Sequence, residues 1–88
     1  MLTMEYKISG KVQGVWYRAS TKDKANELGL TGYAKNCADG TVLVIASGEV
    51  EQLKQLESWL WHGSQLAQVL SVVVARIDEQ NFSDFTVR

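Results

Sequence analysis

The chain has 88 residues, enough for one domain spanning 1–88, with 45% apolar and 22% charged residues and a formal net charge of −1. That balance argues against a general nucleic-acid or membrane-surface binder, which would be basic, and no apolar run approaches the roughly 20 residues of a membrane span. One Cys and one His leave no intrachain disulfide and too few soft ligands for a zinc centre, so any chemistry must come from Arg, Lys, Asn, carboxylates and backbone.

The first residues, Met1-Leu2-Thr3-Met4-Glu5-Tyr6-Lys7, lack the basic region and long apolar stretch of a signal peptide, which predicts a cytoplasmic protein. Glu5 to Val12 alternates, with Tyr6, Ile8, Gly10 and Val12 on one face, and predicts a half-buried strand. Gln13 to Tyr17 breaks the alternation around Gly14 and reads as a loop. Arg18 to Leu28 reads as a helix with Thr21, Ala25 and Leu28 inward. Gly29 follows as its left-handed terminator, and Leu30 packs back on the last turn.

Thr31–Asn36 and Thr41–Ala46 read as strands joined by the turn Cys37-Ala38-Asp39-Gly40. Gly48 to Glu51 opens a second helix with Val50, Leu53, Leu56 and Leu60 as its inner stripe, closed by His62 and Gly63. Of Trp59 and Trp61 on that helix, one must face solvent. Val69–Ile77 is a fourth strand, Thr86–Arg88 a short fifth, and Asp78–Asp84 a polar surface loop. The order β-α-β-β-α-β predicts an α+β, ferredoxin-like split β-α-β sandwich: an antiparallel sheet with two helices on one face.

The segment Gly10-Lys11-Val12-Gln13-Gly14-Val15-Trp16-Tyr17-Arg18 carries the chemistry. A loop between a strand and a helix start offers unpaired N–H groups to an anion, Gly14 permits the necessary backbone, and Arg18 brings a guanidinium fork. The spacing is not that of a Walker loop, and on these residues alone an ordinary strand–helix turn with a solvated Arg stays open. Asn36 alone reads as a turn former. Lys11 and Lys35 read as solvated lysines, and Cys37 as a small turn residue.

Gly-x-Val-Gln-Gly-Val-x-Tyr-Arg, followed by Leu-Gly-Leu-x-Gly-Tyr-Ala-Lys-Asn-x-x-Asp-Gly, resembles the acylphosphatase family. The resemblance continues through Gly48, Trp59-Leu60, Gly63 and Phe85-Thr86-Val87-Arg88, and so spans nearly the whole chain. It implies metal-independent hydrolysis of an acyl phosphate to a carboxylate and inorganic phosphate, with no cofactor and no nucleic-acid or membrane partner. Arg18 and the backbone of Gln13, Gly14, Val15, Trp16, Tyr17 and Arg18 would hold the phosphate, and Asn36 would orient the attacking water. Three positions depart from the family pattern. Tyr17 stands for Phe and adds a hydroxyl. Ser64 stands for a frequent Pro and is expected to affect only how the chain leaves the helix. Leu43 replaces a charged residue. A small domain without an obvious apolar patch is expected to be a monomer. The alternative is a non-catalytic anion-binding or regulatory module on the same fold.

Overall fold

Along the first strand, β1 (Leu2–Lys11), Tyr6 and Ile8 are buried and Lys7 and Lys11 exposed, as the alternation requires. The computed structural model describes residues 1–88. It continues with α1 (Tyr17–Glu27), β2 (Thr31–Asn36), β3 (Val42–Gly48), α2 (Val50–Leu60), β4 (Gln68–Ile77) and β5 (Phe85–Val87). The strands form one sheet in the order β4-β1-β3-β2-β5. No helix is long and apolar enough to cross a membrane.

The pairings among β1 to β4 expected of the split β-α-β arrangement are antiparallel, but β5 runs parallel to β2, so the sheet is mixed. The crossing segment Asp78–Asp84 explains the direction. It leaves the end of β4 at one edge, passes over the open face, and enters β5 at the far edge from the same end of the sheet. On the way the Gln80 N–H donates to Thr3 Oγ1 at 2.9 Å, Ser47 Oγ donates to the Gln80 carbonyl at 3.0 Å, and Phe82 packs edge-on against Tyr33. The predicted polar loop is therefore a partial cover for that face, over a buried Thr3–Ser47 hydroxyl pair 2.7 Å apart.

Both helices lie on the other face, α1 against β2 and β5, and α2 against β1, β3 and β4. Between them Tyr6, Ile8, Val12, Ala25, Val42, Val44, Leu53, Leu56, Leu60 and Phe85 form the core. Val50 is the exception to the predicted stripe of α2: it is the first residue of the helix and is 43% exposed, at the rim of a shallow depression beside Leu2 and Met4. Trp61 faces solvent while Trp59 packs against the core. The end of α1 is a Schellman motif, with the Gly29 N–H donating to the Asn26 carbonyl and the Leu30 N–H to the Ala25 carbonyl, and Leu30 is buried.

Because β1, β2 and β5 all run the same way, their C-terminal ends meet at one end of the sheet. The residues that follow β1, the last residue of β2 and the residue after β5 therefore share a neighbourhood. A register shift against β4 between Ser9 and Gly10 turns β1 as it reaches that end. Gly10 is required there: its φ is 122°, and a Cβ would stand 2.2 Å from the Gln68 carbonyl oxygen.

Candidate active site

The loop from Gln13 to Trp16 carries the chain from β1 into α1. Its backbone is left-handed at Gly14 (φ 73°) and again at Trp16 (φ 64°), the one non-glycine residue with positive φ in the molecule. Turns with left-handed residues make successive N–H groups converge on one side, the geometry of an anion nest. None of the main-chain N–H groups from Gln13 through Ala19 donates to another atom of the protein. The groups at Tyr17, Arg18 and Ala19 are the usual orphans of a helix start, and the loop adds Gly14, Val15 and Trp16 to the same row.

Three contacts hold this row in place. Val15 is buried. Its carbonyl accepts a hydrogen bond from Ser64 Oγ at 2.5 Å; because the peptide is planar and trans, the N–H of Trp16 then points the opposite way. Ser64 thus does more than steer the chain out of α2, contrary to the expectation from its sequence position, and a Pro there could not make this bond. Tyr17 is buried, with its hydroxyl donating to the Leu60 carbonyl at 2.7 Å and its ring 5.9 Å from that of Trp59. Burial raises the pKa of its phenol, so the group stays a neutral donor. The hydroxyl that distinguishes Tyr17 from Phe fastens the start of α1 to the end of α2.

Gln13 has a use that its sequence position does not disclose. Its side-chain Nε2 donates to the carbonyls of Cys37 (2.8 Å) and Thr41 (2.9 Å) and straps the loop to the β2–β3 turn immediately after Asn36. That turn is itself closed by Asp39, which accepts from the Thr41 hydroxyl and N–H and pairs with Lys7 at 3.3 Å. The bonds from Thr41, followed by that from Lys7, lower the Asp39 pKa to about 2. Lys11 and Lys35 are exposed and form no ion pair, as expected of solvated lysines.

Arg18 stands in the first turn of α1. Its Nη1 donates to the main-chain oxygen of Arg88 at 2.6 Å, which leaves the rest of the guanidinium fork uncommitted. Arg88 is in turn fixed twice, by its N–H on the Ala34 carbonyl at 2.8 Å and by its guanidinium 3.8 Å over the Tyr33 ring. Arg18 is therefore tied through Arg88 to β2, two residues before Asn36.

Asn36 shares its side of β2 with the buried Ala34, the side on which α1 packs. Its Oδ1 is buried and is the one such side-chain atom in the molecule without a hydrogen-bond partner. No protein atom donates to it, and buried carbonyls of this kind are ordinarily met by water or a ligand.

A depression of about 300 Å³ opens beside the loop, lined by Val12, Gly14, Trp16, Tyr17, Arg18, Ala19 and Val87. It gathers the guanidinium and the loop backbone. Asn36 is not one of its walls; the chain on either side of it is linked to the loop by Gln13 and to Arg18 by way of Arg88. No three or more His, Cys, Asp or Glu side chains are grouped so as to hold a metal ion. The loop offers main-chain donors and Arg18 one permanent positive charge, a set that suits a small anion.

The family model described as Acylphosphatase matches residues 4–87. A relative from Nitrosococcus oceani named acylphosphatase is 47% identical over 81 residues, which covers 92% of this chain and 91% of the relative. Among solved structures, an acylphosphatase from Coxiella burnetii superposes with a TM-score of 0.96 at 42% identity, covering 99% of this chain and 92% of the other. One from Bacillus subtilis also gives 0.96, at 27% identity, covering 100% and 99% respectively. By the match over nearly its whole length and by these relatives, the chain belongs to the acylphosphatase family.

Proposed function

We propose that the chain, acting as one domain over residues 1–88, hydrolyses acyl phosphates without a metal ion, by attack of an Asn36-oriented water on a phosphoryl group held by Arg18 and the loop N–H groups. The observation that carries this reading is the pairing, at one end of the sheet, of a row of undonated N–H groups with a buried carbonyl that has no partner. The row and Arg18 complement an anion; the Asn36 Oδ1 complements the water that must reach it.

The chemistry asks little else of the protein. A carboxylate is a good leaving group, so catalysis reduces to positioning and to stabilising the charge spread over the equatorial phosphoryl oxygens. The N–H row and the guanidinium bind those oxygens in a fixed geometry and need no reorganisation as charge shifts. Asn36 is no base, but its carbonyl accepts one water hydrogen and holds the oxygen in line with phosphorus. The water oxygen bonds to phosphorus, the bond from phosphorus to the acyl oxygen breaks, and its electron pair leaves with the carboxylate. Both water protons end on the inorganic phosphate.

The purified chain is expected to convert benzoyl phosphate to benzoate and inorganic phosphate at the same rate with and without excess EDTA. Loss of turnover on chelation would refute the metal-free reading. Binding of inorganic phosphate with no turnover would support the non-catalytic module instead.

A further inference from the structure

The N–H row, Arg18 and Asn36 serve the phosphoryl half of the substrate, and the acyl half needs surroundings of its own. Trp16 is 77% exposed, its ring stacks on no other ring, and its indole N–H donates to no protein atom. Its backbone is held in the left-handed region, where an L side chain is disfavoured and a glycine would not be. A large aromatic that the fold neither buries nor needs, on an unfavourable backbone, points to use rather than to folding. Its position says what use. Its own N–H belongs to the proposed phosphate row, and its side chain lines the depression together with Val12, Ala19 and Val87, with Arg18 as the sole charged wall.

In an acyl phosphate one oxygen separates the carbonyl carbon from phosphorus, so the acyl group must lie beside whatever grips the phosphate. In-line displacement places that group opposite the attacking water. Asn36, which would hold the water, is absent from the walls of the depression, and the apolar residues line it. We infer that the apolar side of the depression, beside the loop that would grip the phosphate, is the acyl subsite and that Trp16 is its specificity-determining residue, selecting acyl phosphates with a flat apolar acyl group over those with a short one. The inference rests on the hydrolase reading.

The test compares kcat/KM for benzoyl phosphate and acetyl phosphate in the wild type, Trp16→Gly and Trp16→Phe. Glycine keeps the left-handed backbone while removing the ring, and Phe restores a stacking surface. The benzoyl-to-acetyl ratio is expected to fall about 3- to 10-fold in Trp16→Gly, the scale of one offset aromatic stack, and to return to within about twofold of wild type in Trp16→Phe. An unchanged ratio in Trp16→Gly overturns the assignment, whatever happens to the absolute rates. A wild-type chain inactive on both compounds overturns the hydrolase reading and the inference with it, whereas an active wild type with an unmoved ratio sinks the subsite alone.

Discussion

Arg18→Ala is expected to lower kcat/KM for benzoyl phosphate by about 10²–10³-fold, the effect of removing one strong donor to the charge of a transition state. In the proposed mechanism the guanidinium is held before substrate arrives: Nη1 donates to the Arg88 main-chain oxygen at 2.6 Å, and Arg88 is itself held by Ala34 and Tyr33. A pre-aimed planar fork loses little side-chain entropy on meeting two phosphoryl oxygens. Arg18→Lys keeps the charge, but a single ammonium cannot hold the Arg88 oxygen and grip two further oxygens in one plane. It is expected to recover less than about a tenth of the lost rate. Steady-state kinetics of both variants check this, and near-wild-type activity in Arg18→Lys would show that a point charge suffices. The contact with Arg88 is solvent-exposed, so its loss should change stability by no more than about 1 kcal/mol.

The second large effect is expected at Asn36, with an opposite sign for stability. Asn36→Ala removes the proposed water acceptor and is expected to reduce kcat by about 10²-fold, the lower end of what one positioned polar group contributes. Competitive inhibition by inorganic phosphate is expected to stay within about threefold, since the N–H row and Arg18 are untouched. The folded state is expected to hold or gain up to about 1 kcal/mol in a denaturant titration, because an unpaired buried carbonyl leaves with the side chain. A purely structural Asn would show the reverse pattern, with stability lost and turnover kept. Equal losses in kcat and phosphate affinity would make Asn36 a binding group.

How much of the molecule is legible in its sequence varies by element. The strand Thr31–Asn36 is readable to the residue, and the end of α1 is marked by Gly29 and Leu30, whose two capping bonds are local. Alternation along β1 reports which side chains face the core. It does not report that β5 runs parallel to β2, since strand direction depends on where Asp78–Asp84 crosses the sheet, and that crossing is held by Gln80 and Phe82 contacts to distant strands. At the site, the loop and Arg18 stand out by pattern, and Asn36 through the family resemblance alone. The residues that aim them do not stand out. Ser64 reaches Val15 across 49 positions, and the two bonds of Gln13 span 24 and 28, separations at which no periodicity speaks. The left-handed Trp16 is equally hidden, because a Trp carries none of the signal for positive φ that a Gly does.

In the proposed mechanism the fold directs water at phosphorus and not at the acyl carbon. Hydrolysis of benzoyl phosphate in oxygen-18 water, followed by mass spectrometry of both products, tests this most directly. The label is expected in the inorganic phosphate, with unlabelled benzoate. Label in the benzoate would mean that the carbonyl carbon is attacked, and the roles assigned to the N–H row, Arg18 and Asn36 would be wrong.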